Sequence, residues 1–522
     1  MRVLVQLRST PAVLAPMSVG EPARDITRDL EAAVPTLSLD HDYAPVQVPR
    51  PVPVDPSGDP LSMMQPMTFS FDPERSTYLV RGEIADAAPA RLALLAASHP
   101  DIVGVFADPR IETTGEYCGD APVGTADDVA QRLGTATLAS RGLDGTEVAL
   151  AIVDTGINLA FLRSKGLHPT IDASRSWTPP GVSTHAGQFP VAHGSMCAYD
   201  ALIAAPKASL LDIPIMSAPV GTFAALLSDA VQAYAHLRTV LDGMPADGKH
   251  LVVSNSWGIF DPAWDFPVGS PGNYSDNPAH PFNIIVGSLA QAGADILFAA
   301  GNCGRDCPDS RCRFGSARPI NGANSHPQVL SVAGITVERD RVGYSSQGPG
   351  RLADHKPDVS SYTHFLGSQA EGPGAPDSGT SAACPVMAGV VAAVRTEHSA
   401  SAVTPEQLRA LVAKTSVNLG APGYDYDYGW GAVDPVALAD ALAAASGTTP
   451  VKKSGGTKKA AKKTTKTTKT TKKTTHKTTK KAAKSPVKTA AGAAAKKASK
   501  VLRAAADKAS KAATTAAKTA GT

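Results

Sequence analysis

Short, uninterrupted apolar runs mark the middle of the chain. Val148–Val153, Leu210–Ile215, Leu251–Ser254, Asp295–Ala300 and Val329–Val332 read as strands buried on both faces, the pattern of a parallel sheet covered on each side. Between the second and third, Phe223, Leu226, Leu227, Ala230, Val231, Tyr234 and Leu237 recur at helical spacing. Thr404-Pro405-Glu406-Gln407 is a helix start, with a capping threonine, proline in the first turn and glutamine three on. Strands alternating with helices over residues 140–445 predict an α/β domain on a mainly parallel sheet. Ligand sites are then expected beyond the carboxyl ends of its strands.

Residues 1–115 carry a different pattern, that of a small α+β unit. Val3–Leu7, Thr77–Glu83 and Ile102–Ala107 read as strands, and Thr27–Val34 and Ala90–Ser98 as short helices. Pro45, Pro49, Pro51, Pro53, Pro56, Pro60 and Pro66 predict an extended, poorly packed insertion between them.

Composition narrows the class. Of 522 residues, 43% are hydrophobic and 19% charged, enough to bury a core and too apolar for a wholly disordered chain. No apolar run approaches the roughly 18 to 20 residues that span a bilayer. The net charge of +3 hides a division: residues 451–522 hold 22 of the 50 Lys and Arg and one of the 47 acids, a net of +21. The remaining 28 bases and 46 acids leave −18 on the body. The basic segment has no Phe, Trp or Tyr and is dominated by Lys, Thr and Ala, so it is expected to stay unfolded alone. Its Ala490–Lys518 stretch could turn helical if a partner neutralised the lysines.

Met1–Arg8 offers five apolar residues broken by Gln6 and closed by Arg8. A secretory signal needs an unbroken stretch of about 7 to 15, so this start reads as a first strand and the expected location is cytoplasmic. Cysteines 118, 197, 303, 307, 312 and 384 are too sparse for a disulfide scaffold. Cys303-x3-Cys307-x4-Cys312 is not a zinc spacing and no histidine completes it, so local disulfide or free thiols is preferred to a metal.

Three segments carry candidate chemistry. Val148-Ala-Leu-Ala-Ile-Val-Asp154 is a strand ending in a carboxylate, His193 stands where a helix begins, and Ser378-Gly-Thr-Ser381-Ala-Ala-Cys-Pro385 puts a serine at the start of an apolar helix, with proline in its first turn. A serine hydroxyl needs an adjacent base to attack at neutral pH. Histidine suits that role, and a buried carboxylate on its other nitrogen fixes the tautomer. Phe298-Ala-Ala-Gly301-Asn302 leaves a strand with an amide that could stabilise an oxyanion. The backbone N–H of Ser381, at a helix N-terminus, is the natural second donor. Asp154-Thr-Gly156 beside Asp377-Ser-Gly-Thr380 raises a paired-carboxylate protease instead. That fold is all-β, and the helix-like run from Ser381 through Val394 speaks against it.

The order Asp, His, Ser is that of subtilisin. With Ala151-Ile-Val-Asp154-Thr-Gly-Ile157, His193-Gly-Ser195, Ser254-Asn-Ser-Trp-Gly258, Ala299-Ala-Gly-Asn302, Gly379-Thr-Ser381-Ala-Ala-Cys-Pro385 and Tyr428-Gly-Trp-Gly-Ala-Val-Asp434, residues 140–445 resemble a subtilisin-like serine protease. The resemblance implies a three-layer α/β fold and an acyl-enzyme endopeptidase acting on proteins or peptides. It casts Asp154, His193 and Ser381 as the triad, Asn302 as oxyanion donor, and Ser256-Trp257-Gly258 as the strip that pairs with substrate. Met196-Cys197 stands where His-Val is usual, and Cys384 where threonine is. Residues 1–115 are similar in size and element order to the family's propeptide, with cleavage expected within Thr113–Thr125. Calcium is common in the family, though no ligand set here is convincing.

The tail, with Lys484-Ser-Pro-Val-Lys488, resembles the C-terminal tails of linker histones. That implies nonspecific binding to nucleic acid or another polyanion through counterion release. The plainer readings are a solubilising linker, or a tail folded back on the acidic body. The competing view of the whole is a catalytically silent, protease-like scaffold that acts as a histone-like polyanion binder.

Overall fold

A computed structural model describes residues 1–11, 13–14, 24–53, 67–85, 99–114, 121–216, 224–313 and 318–445. The expected helix Ala90–Ser98, Phe223 and the basic tail 451–522 lie outside them. The first seven strands are β1 (Arg2–Arg8), β2 (Leu37–Leu39), β3 (Val46–Val48), β4 (Arg50–Pro53), β5 (Met67–Ser70), β6 (Thr77–Ile84) and β7 (Ile102–Ala107). Five of them form an antiparallel sheet in the order β2-β6-β1-β7, with β3 also on β6. Period-2 alternation gives this sheet two buried faces. Val3, Val5 and Leu7 pack with Ile26 and Leu30 of the helix Arg24–Ala33, while Leu4, Leu79, Val46 and Val48 join a core of the central domain.

Part of the proline-rich insertion is therefore better packed than its composition suggests. Val46 and Val48 are 5% and 1% exposed and pair in register with Leu79 and Thr77. β4 and β5 form a two-stranded ribbon, where Pro51 and Pro53 need not donate to an interior ladder. Pro56, Pro60 and Pro66 fall outside the described residues.

Only Asp108 and Pro109 separate β7 from β8 (Arg110–Thr113), which crosses to the central domain. There follow β9 (Ala149–Val153), β10 (Thr170–Ile171), β11 (Ser209–Ile213), β12 (Ala224–Leu226), β13 (Leu251–Asn255), β14 (Trp257–Gly258), β15 (Asp295–Ala299), β16 (Leu330–Ile335) and β17 (Val359–Tyr362). Seven pair in parallel in the order β10-β11-β9-β13-β15-β16-β17. Successive residues alternate between two cores. Leu150, Ile152, Val252 and Leu297 face the helices His193–Leu202 and Gly379–Arg395. Ala151, Val153, Val253 and Phe298 face Leu227–Asp242 and Pro281–Gln291. Each strand must be apolar on both sides, hence the unbroken runs.

The helix Gly379–Arg395 is buried along its whole length, and its last residue, Arg395, pairs bidentately with Asp295 at 2.5 and 2.8 Å. A helix, not a strand, thus follows Asp377, as the sequence indicates. Pro385, however, lies inside this helix as its seventh residue, not in its first turn. Proline there cannot donate to the carbonyl four residues back. That carbonyl belongs to Ser381, and Ser256 Oγ takes it instead at 3.1 Å, with Cys197 Sγ at 3.6 Å. Leu226, expected in one helix with Leu227 to Leu237, lies in β12; the helix Leu227–Asp242 starts one residue later. The Thr404 cap forms as expected, with Gln407 N donating to Thr404 Oγ1 at 3.2 Å.

Candidate active site

The sheet delivers its chemistry at its carboxyl edge. Asp154 follows β9, Ser256 follows β13, and Asn302 stands three residues beyond β15. His193 opens the helix His193–Leu202, and Ser381 lies in the first turn of Gly379–Arg395. All five are buried.

His193 Nδ1 lies 2.9 and 3.0 Å from the two oxygens of Asp154. Burial alone would lower the imidazole's pKa, but the charge and hydrogen bond of Asp154 prevail and raise it above 6.5. Thr155 N holds Asp154 Oδ1 at 2.7 Å. Cys197, one turn along from His193, puts its Sγ 3.6 Å from both Asp154 Oδ2 and His193 Nδ1. Burial pushes that thiol's pKa well up, so it packs as a neutral group rather than a second nucleophile.

Ser381 does not hydrogen-bond to His193. Its Oγ lies 2.6 Å from Thr114 Oγ1 and donates to Ser256 O at 3.4 Å, while His193 Nε2 is buried without a hydrogen-bond partner. The cleft beside them is filled. β8 lies antiparallel between β12 and β14, with Thr113 opposite Trp257 and Glu112 opposite Gly258 and Ala224. Thr114 N donates to Ser256 O at 2.9 Å. The carbonyl of Thr114 accepts from Asn302 Nδ2. The amide of Asn302 can point that way because its oxygen is held by Thr380 N and Oγ1, each at 2.9 Å. Gly379 makes the approach possible: its φ is +74°, and a Cβ there would meet Thr114 O at 2.1 Å.

Ser256, Trp257 and Gly258 thus line the chain's own extended segment, β8 and Thr114. The opposite wall, Ala224–Leu226, escaped the sequence reading, since a three-residue strand carries no period. Beyond Thr114 the cleft narrows to a cavity of about 10 Å³ walled by Gly258, Phe260, Ala300 and Gly301, room for roughly one water.

The loop after Asn302 is closed by a disulfide, Cys303–Cys312. Cys307 is also disulfide-bonded, and Cys197 and Cys384 are free. The cysteine cluster is therefore structural. Arg311, inside this loop and missed in the sequence, reaches Glu112 at 2.8 Å and Thr113 O at 3.1 Å. Among the described residues, the one group of His, Cys and acidic side chains with metal-ligand spacing is Asp154–His193–Cys197. Its thiol and imidazole do not suit calcium, which takes oxygen ligands.

Residues 145–431 match the family model described as the Subtilase family, Peptidase S8. No curated protein matches the chain in sequence. Fervidolysin from Fervidobacterium pennivorans, described as a keratinolytic enzyme related to subtilisin, aligns at 17% identity with a TM-score of 0.51. That alignment spans 84% of this chain and 60% of fervidolysin. A lanthipeptide protease aligns at 16% identity and a TM-score of 0.44, over 61% of this chain and 99% of its own. At 17% identity the likeness to fervidolysin is one of fold, and that fold is subtilisin-like.

Proposed function

The chain belongs to the subtilase family of serine proteases, and from that premise we propose that it is an endopeptidase made as a zymogen which cuts itself after Thr114. The observation that carries this reading is the seat of Thr114. Its carbonyl is held by Asn302, its hydroxyl touches the Ser381 hydroxyl, and β8 pairs on both edges as a substrate would. Residues 1–114 then act as propeptide.

In this mechanism the Thr114 side chain swings away from Ser381, whose proton passes to His193 Nε2 as Oγ attacks the carbonyl carbon. Asp154 holds the other imidazole nitrogen and stabilises the imidazolium. The oxyanion falls to Asn302 Nδ2 and the Ser381 N–H, one of the helix-start donors without an intrahelical partner. His193 returns the proton to the leaving amine, and water repeats the sequence on the ester. The test is a fluorophosphonate probe with N-terminal sequencing: Ser381 is labelled, and active protein begins at Gly115. Active protein that still begins at Met1 would remove the zymogen reading, and unlabelled Ser381 would favour a silent scaffold.

Two further outcomes follow from the site. Asn302→Ala is expected to cost about 10²- to 10³-fold in kcat with little change in KM, the scale set by the same kind of donor in subtilisin. A loss confined to KM would mean that Asn302 only binds substrate. His193 must be neutral to accept a proton, and its pKa is raised in the closed site. Activity should therefore fall as pH drops through a value above 6.5. An acid limb below 6.5 in a pH–rate profile would separate His193 from that titration.

The Cys303–Cys312 link supports work in an oxidising place. For residues 451–522 the reading remains nonspecific binding of nucleic acid or another polyanion, supported by the +21 charge alone.

A further inference from the structure

We propose that Arg311 is a specificity-determining residue, selecting substrates with an acidic side chain three residues before the scissile bond. The proposal rests on the reading that β8 occupies the substrate strip. In that register Thr114 precedes the cut bond, Thr113 and Glu112 come next, and Ile111 is fourth.

Arg311 is held by groups of the catalytic domain as well as by β8. Asp309, itself buried, accepts from Arg311 Nε at 3.0 Å and from Nη2 at 2.6 Å. The guanidinium lies 4.0 Å from the ring centre of buried Phe260. The backbone of the loop is closed by Cys303–Cys312 and tied to the oxyanion residue, since Asp309 N donates to Asn302 O at 2.8 Å. Two donors remain directed at the cleft. Nη1 meets Glu112 Oε2 at 2.8 Å, and Nη2 meets the carbonyl of Thr113 at 3.1 Å. One planar guanidinium thus reads a side chain and the adjoining backbone together, a geometry that lysine could not reproduce.

Glu112 is 6% exposed where it docks, so its charge is taken largely out of water. A neutral glutamine keeps the shape but loses the charge-assisted bond. A lysine would set two cations against each other. Arg110 also touches Glu112, at 2.5 Å, but its side chain is 48% exposed and it belongs to the bound segment itself. Arg311 is the partner that the catalytic domain supplies.

The test uses the enzyme produced as the full chain and allowed to process itself. The peptides Ile-Glu-Thr-Thr, Ile-Gln-Thr-Thr and Ile-Lys-Thr-Thr each carry a fluorogenic leaving group after the last threonine. The expected result is a kcat/KM about tenfold higher for Glu than for Gln, with Lys lower still. In Arg311→Gln the Glu/Gln ratio should fall to about one, and in Arg311→Glu the order should invert in favour of lysine. Each ratio is internal to one variant, so it is independent of how much of that variant folds. Equal cleavage of all three peptides by wild type, with Ser381 labelled by fluorophosphonate, overturns the proposal and leaves the peptidase standing. Labelled enzyme that leaves all three intact overturns it as well, because β8 would then not report substrate preference. No cleavage and no label would overturn the underlying peptidase reading itself.

Discussion

Replacing Ser381 by alanine is expected to lower peptide hydrolysis by about 10⁶-fold, the scale measured for the same change in subtilisin. A residual rate of roughly 10³ to 10⁴ over water should survive, supplied by substrate binding and the oxyanion donors. The site explains why the loss should be so large and why something should remain. Ser381 Oγ is, among the described residues, the nucleophile placed against the Thr114 hydroxyl and the Ser256 carbonyl. Cys197 lies nearby, but burial keeps its thiol protonated and its Sγ points into Asp154 and His193. Asn302, by contrast, is oriented by Thr380 rather than by Ser381, so it should still polarise a bound carbonyl in the variant. The same substitution should leave the chain uncut, with Met1 attached and β8 still in the cleft. Near wild-type hydrolysis by Ser381→Ala would remove Ser381 from the mechanism. Lost hydrolysis combined with a normal cut after Thr114 would show that another protease makes that cut.

The parallel sheet was legible because its strands feed two cores at once. In β9, Leu150 and Ile152 face one core while Ala151 and Val153 face the other, which leaves an unmistakable apolar run. β17 was not legible: its Ser360 and Ser361 are fully buried polar residues, Ser360 Oγ donating to Tyr428 O at 3.0 Å and Ser361 Oγ left without a partner. The helix Pro281–Gln291 was missed for the opposite reason. It is buried on nearly every side, so it shows no stripe, and its cap is His280, which accepts from Phe282 N at 3.3 Å. Asp154, His193, Asn302 and Ser381 could be read because each leaves a strand or opens a helix. Arg311 could not, for it sits in an aperiodic loop and its partner Glu112 is 199 positions away. Thr114 lay at the edge of the expected cleavage region, yet only the register of β8 against Trp257 and Gly258 singles it out.

The basic tail should bind duplex DNA with an affinity that falls steeply with salt. It carries +21 over 72 residues, and each phosphate neutralised contributes about −0.9 to the slope of log K against log salt. If roughly eight of its lysines engage, the slope is near −7, so affinity should drop about 10⁴-fold between 50 and 200 mM salt. No Phe, Trp or Tyr lies in the segment to stack on bases, so duplexes of unrelated sequence should bind alike. Mobility shifts over a salt series, with the full chain and with a chain ending at residue 450, measure both quantities. The shortened chain should lose the salt-sensitive binding. It should keep its hydrolysis of short peptides, because Asp154, His193, Asn302, Arg311 and Ser381 all precede the cut. Equal affinity with and without the tail, or a flat response to salt, would show that the lysines serve something other than phosphate. Lost hydrolysis in the shortened chain would instead tie the tail to the folded enzyme.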